Sequence, residues 1–204
     1  MNFLAHLHLA EPTPASRMGS LLGDFVRGYP WDERYPEAVW KGIVEHRHVD
    51  AFTDSHPSWQ KSREILPSEM RRFAGIVIDI FYDFFLHRYW ENFSHGEPLD
   101  HFISSVHSQL EAVADVAPPE AAEAIASMIR QGWLKEYATL EGIDLTLRRV
   151  SFRSPILEPI FDAAEILQEN LEVIESHFLE FYPELQAYMP QLRAEIDAER
   201  AGRL

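Results

Sequence analysis

The chain of 204 residues is 46% hydrophobic and 25% charged, which supplies an ordinary packed core and argues against disorder. It has no cysteine, so disulfides, thiolate metal sites and cysteine nucleophiles are excluded together, and a cytoplasmic setting is expected. The net charge of −15 opposes DNA and RNA, so nucleic acid is not an expected partner.

The chain opens MNFLAHLHLAEP, with no basic n-region, and His6 and His8 interrupt its apolar stretch, so no signal peptide is expected. No run of roughly eighteen apolar residues marks a membrane span. One of His6 and His8, which alternate with Leu4, Leu7 and Leu9, is a candidate to point inward, as a ligand or as a satisfied core imidazole. A first helix is predicted from about Ala15 to Arg27, ending at Gly28 with Pro30 beyond it, and Asp24 near its end is a candidate for the interior. A second helix is predicted from about Pro36 to Phe52. It carries His46 and Asp50, four residues apart on one face, with His48 between them. Imidazole beside carboxylate suits Zn, Mn or Fe better than Ca. A solvated His/Asp surface is the competing reading. Asp54 and His56 follow, and Pro57 starts a short helix to about Leu66.

Pro67-Ser68 is predicted to open a long helix through Trp90, apolar nearly all round and therefore buried. It contains Asp79 and Asp83, four apart, with His87 continuing the stripe. A buried carboxylate is costly unless it is paired or bound to a cation, so these two either pair with arginines such as Arg47 or Arg88 or hold a metal. After a loop at 92–98, helices are predicted at about 98–115, 118–130, 132–150 and 159–180. A polar last helix from Pro183 is expected to fray after about Arg193, leaving 194–204 as a tail. The 113–123 stretch is the best linker candidate but is short, so residues 1–204 are read as one all-α, single-domain helical bundle.

Of ten histidines, seven lie before position 96, among aspartates, which directs the search for chemistry to the N-terminal half. No Gly-rich phosphate loop, GxSxG elbow or HExxH is present, so the expected nucleophile is a metal-activated water.

Several motifs resemble the acyl carrier protein phosphodiesterase family, in order along nearly the whole chain. They are MNFLAHLHL at 1–9, GSLLGDFVRG at 19–28, HRHVDAFTDSHP at 46–57 and AGIVIDIFYD at 74–83 with Leu86 and Trp90. Arg148, Arg149, Arg153 and the closing Phe178 to Pro183 stretch resemble its C-terminal half. The resemblance implies a rearranged HD-phosphohydrolase-like fold and a divalent metal, manganese favoured over magnesium or iron(II). The reaction it implies is hydrolysis of the serine-linked 4'-phosphopantetheine of holo-acyl carrier protein. Carried onto this chain, the metal candidates are His6, Asp24, His46, Asp50, Asp79 and Asp83. Phe84 stands where the family usually has histidine after the aspartate.

Phosphodiester hydrolysis needs an ionised water, stabilised charge on phosphorus and a protonated leaving group. Asp24, His46, Asp83 and His48 are the catalytic candidates, with His48 or His6 as acid. Arg27, Lys41 and Arg47 are candidates to hold the phosphate, and Arg149 with Arg148 and Arg153 to dock an acidic carrier; each could instead be an ion-pair partner. The alternatives are an HD-type phosphohydrolase of a nucleotide or other small phosphoester, and a weakened homologue that only binds the carrier, as Phe84 would suggest.

Overall fold

Apolar residues at helical spacing fold the chain into helices throughout, and the computed structural model, which describes residues 1–28 and 34–201, contains no strand among them. The N-terminal half comprises α1 (Phe3–Leu9), α2 (Pro14–Leu22), α3 (Glu37–Ser55), α4 (Pro57–Ile65), α5 (Ala74–Arg88) and α6 (Trp90–Phe93). The C-terminal half comprises α7 (Leu99–Ala112), α8 (Pro119–Gln131), α9 (Trp133–Glu136), α10 (Leu140–Ser151), α11 (Ala163–Glu169) and α12 (Leu171–Ala201). No helix among the described residues is long and apolar enough to cross a membrane.

Helix α5 runs through the core: Val77, Ile78, Phe81, Tyr82, Phe85 and Leu86 are fully buried. Against it lies α1, whose Leu4, Ala5 and Leu7 are equally buried. Helices α2 and α3 pack backbone to backbone. A Cβ on Gly19 would lie 2.1 Å from the Val39 carbonyl oxygen, and one on Gly42 would lie 2.6 Å from that of Ser16. This close approach brings the end of α2 alongside the middle of α3, where the histidines sit.

Several boundaries differ from the sequence expectation, each for a local reason. Helix α1 was not expected as a helix. The first predicted helix stops at Leu22, and Asp24 sits in the turn that follows. Pro30 lies outside the described residues. The single helix expected to Trp90 divides into a 3-10 turn at Arg71–Phe73, α5 and α6. The stretch at 132–150 divides because the Thr139 hydroxyl accepts the Gly142 N–H at 3.1 Å and starts α10 afresh. Helix α12 continues through Pro183 and Pro190 to Ala201, where a break at Pro183 and fraying after Arg193 were expected. Each interior proline costs about 3 kcal/mol. The buried stripe of Ile174, Phe178, Phe181, Leu185, Met189, Leu192 and Ile196 offsets this at about 1.5–3 kcal/mol per large apolar side chain.

Candidate metal centre

The site is assembled from the four N-terminal segments singled out in the sequence. On α3, His46 is buried, and its Nδ1 lies 2.7 Å from the Ser20 carbonyl oxygen. A carbonyl only accepts, so Nδ1 carries the proton and Nε2 is the free end of the ring. That Nε2 lies 3.1 Å from Asp50 Oδ2 and 3.3 Å from Asp24 Oδ1. The ring occupies space that a side chain at residue 23 would fill, since a Cβ on Gly23 would lie 2.2 Å from it.

From α1, His6 stacks on His46 with ring centroids 3.9 Å apart and planes 17° from parallel. Its Nε2 is 3.1 Å from Asp50 Oδ1 but is buried without a hydrogen-bond partner. A buried polar nitrogen left unsatisfied is costly, and a cation bridging it to Asp50 would satisfy it. The two imidazole nitrogens and an Asp50 oxygen lie within 4.8 Å of one another. Nitrogen and oxygen donors this close fit a divalent transition metal.

Electrostatics support that fit. Burial, reinforced by the neighbouring His46 charge, lowers His6 to about 4. Burial also pulls His46 down, but its bonds to Asp24 and Asp50 outweigh this and raise it to about 9. Burial pushes Asp50 upward, and the two imidazoles more than reverse this, holding it far below the usual carboxylate range. Asp24 is likewise lowered by His46 against desolvation, although 58% of its side chain stays exposed and solvent screens the pair. A group of carboxylates that draws a proton onto His46 is one that favours positive charge at this point.

Asp79 stands next to this cluster. Its Oδ2 accepts from the amino nitrogen of Met1 at 2.9 Å, and its Oδ1 from Trp59 Nε1 at 3.3 Å. The Met1 nitrogen also reaches Asp50 Oδ1 at 3.2 Å. Asp83 is not brought to the cluster. Its two oxygens accept the backbone N–H groups of Leu4 at 2.8 Å and Ala5 at 3.1 Å, capping α1. Phe84 is buried, its ring against that of Phe85 with centroids 5.1 Å apart.

A cavity of about 480 Å³ adjoins the cluster and shares Asp24 and Asp79 with it. Its walls include Phe3, Phe73, Ile76, Ile80 and Trp133, with Asn2, Tyr137 and Thr146 as neutral polar groups and Arg72, Arg149 and Arg153 as cations.

The other sequence candidates are spread more widely. His48 and Arg27 are exposed. Lys41 pairs with Glu37 at 3.1 Å and Asp197 at 2.6 Å. Arg47 donates to the carbonyls of Gly28 and Val26. Arg149 lines the cavity but forks onto Glu136 at 2.8 and 2.6 Å, and Arg148 is held by Asp144. His8 bonds the Tyr182 hydroxyl at 2.7 Å, and His56 caps α4 and pairs with Glu184. Trp133, Tyr137 and Arg72 were missed, because no motif marks a residue whose part is to wall a cavity, and so was Trp59, which acts only by its bond to Asp79.

Fold and site together define an all-α protein in which two buried histidines and partly exposed aspartates form a donor cluster beside a ligand-sized cavity. The family model described as acyl carrier protein phosphodiesterase matches residues 1–185. The acyl carrier protein phosphodiesterase of Enterobacter sp. (strain 638) is 37% identical over 185 residues, covering 91% of this chain and 95% of that protein. That of Salmonella agona (strain SL483) is 36% identical over 187 residues, covering 92% and 96%. The chain belongs to the acyl carrier protein phosphodiesterase family, and it is an enzyme, a hydrolase of phosphodiesters. No solved structure matches it significantly.

Proposed function

We propose that this enzyme hydrolyses the phosphodiester joining 4'-phosphopantetheine to a serine of acyl carrier protein, giving apo-carrier and free 4'-phosphopantetheine, with a divalent metal as cofactor. The observation that carries the metal reading is the buried, unsatisfied Nε2 of His6, within 4.8 Å of His46 and Asp50 donors. The family match over residues 1–185 supports the substrate. Kinship with the HD-type metal phosphohydrolases belongs to the same proposal, supported by the His46 and Asp50 donors on one helix face.

His6, His46 and Asp50 are the residues proposed to hold the metal, with Asp24 beside them. When bound, such an ion polarises the phosphate and makes water a better nucleophile. Manganese is the preferred candidate, magnesium and iron(II) the others. The Ser20 carbonyl holds the Nδ1 proton of His46, so Nε2 is the end at which an ion would take the place of the second proton. Asp24, exposed and bordering both cluster and cavity, suits the acceptance of the proton from the attacking water. Asp79 is the other carboxyl on the wall; burial raises it above the ordinary carboxylate value, so in its protonated form it suits return of a proton to the serine alkoxide. The carrier substrate and the lack of cysteine favour a cytoplasmic setting.

Incubation with holo-acyl carrier protein, followed by mass spectrometry of the carrier, tests this. The expected result is loss of the whole phosphopantetheine mass in the presence of Mn²⁺ and none after chelation. Cleavage that persists unchanged in chelator contradicts the metal reading. Turnover restricted to nucleotides or small phosphoesters contradicts the substrate.

A further inference from the structure

We propose that the cavity beside the donor cluster is the subsite for the pantetheine arm itself, the neutral diamide–thiol part of the substrate; this rests on the phosphodiesterase reading above. The scissile phosphate joins the carrier's serine on one side and the arm on the other. Groups that flank the phosphate must therefore also border the space that receives the arm. Asp24 and Asp79 do both. Asp24 lies 3.3 Å from His46 and also lines the cavity. Asp79 lines it too and is joined to Asp50 through the Met1 nitrogen.

The cavity fits the arm in size and in chemistry. Its volume of about 480 Å³ lies within the roughly 300–1,000 Å³ usual for small-molecule sites. Helix α5 presents Ile76 and Ile80, one turn apart on one face, the 3-10 turn before it presents Phe73, and Phe3 and Trp133 add further apolar wall. The arm's methylenes and gem-dimethyl group match such a surface. Its two amides need neutral partners. Asn2 donates its Nδ2 to the Tyr137 hydroxyl at 2.9 Å, so its amide oxygen is left to accept an N–H, and the Thr146 hydroxyl can both donate and accept. Glu136 and Arg149 neutralise one another at 2.6 Å, so this part of the wall offers the arm no unbalanced charge. There is also open room: a Cβ on Gly75, in the cavity wall, would meet nothing within 4 Å.

That room supplies the experiment. Gly75→Phe puts a ring into it, at an exposed helical position where losing glycine favours the helix. Thr146→Trp narrows the cavity from α10. Each variant is first checked for an unchanged melting temperature. Turnover is then measured on holo-acyl carrier protein and on bis(p-nitrophenyl) phosphate, which has no arm. The expected result is a kcat/KM for holo-carrier at least about tenfold lower relative to that for the small diester, mainly through KM. Free pantetheine should compete with holo-carrier on the wild type and lose potency on Gly75→Phe. A wild type that cleaves both substrates, with both variants unchanged in their ratio, overturns the subsite alone. A wild type that cleaves the small diester but never holo-carrier overturns the functional reading and this proposal with it.

Discussion

On α5, Asp79 and Asp83 are four residues apart, yet only Asp79 reaches the cavity wall. Asp83 lies one turn deeper and caps α1, whose own Asn2 makes no side-chain capping bond. The next residue after the capped Ala5 is His6, so Asp83 acts on the donor cluster by holding the helix that carries it. Asp83→Ala should orphan two buried N–H groups at about 1–3 kcal/mol each and should weaken metal binding by displacing His6. Asp83→Asn, which keeps an acceptor, should recover part of both, as calorimetry of unfolding and of Mn²⁺ binding will show. Loss of metal affinity equal in the two variants would contradict the capping role. The pH dependence follows from burial, which pushes Asp83 up to about 7 against the pull of the two N–H bonds. The folded protein then holds its proton longer than the unfolded chain, whose carboxyl titrates near its ordinary value. The stability from this group is full below that value and is lost as pH rises through about 7. Asp83→Asn should flatten this slope in denaturant titrations between those limits. His46 and Asp50 were legible because a single helix face joins them. The capping of α1 was not, because its acceptor lies 79 residues away from Leu4 in sequence.

At the scale of the elements, the pairing of α2 with α3 determines whether Asp24 meets His46. Gly19 and Gly42 leave no room for side chains between the backbones. Gly19→Ala drives a Cβ toward the Val39 carbonyl, a backbone atom that cannot rotate away, so a loss of about 1–3 kcal/mol is expected. Chemical denaturation should register that loss together with weaker metal binding, and an unchanged midpoint would contradict the close packing. Most helices were legible from apolar periodicity, which burial enforces. Helix ends were less so. Thr139 starts α10 within a stretch that reads as one helix, and α12 passes through two prolines because its buried stripe outweighs their local cost. Helix α1, with seven residues, is too short for periodicity to reveal and depends on α5 for its cap.

Across the whole molecule, the net charge of −15 coexists with a cluster that favours cations. The basic C-terminal segment marked in the sequence is largely spent internally: Arg148 on Asp144 and Asp162, and Arg149 on Glu136. Composition could not distinguish such pairs from a docking patch: Asp144 lies one turn before Arg148 on α10, but Glu136 and Asp162 come from outside that helix. Arg153 stays exposed at the cavity wall. The acidic residues that matter for the site are instead the few that converge on two stacked imidazoles, Asp24 and Asp50 directly and Asp79 through the Met1 nitrogen. His6, His46 and Asp50 are proposed to hold the metal that the hydrolysis requires. The most direct test of that assignment is to titrate metal-stripped wild type and Asp50→Asn with Mn²⁺ by calorimetry and to follow release of 4'-phosphopantetheine from holo-carrier in the same samples. Saturable Mn²⁺ binding by wild type that restores release is expected, with both lost in Asp50→Asn while the fold is retained. A folded Asp50→Asn that binds Mn²⁺ and releases the arm as well as wild type would contradict the assignment.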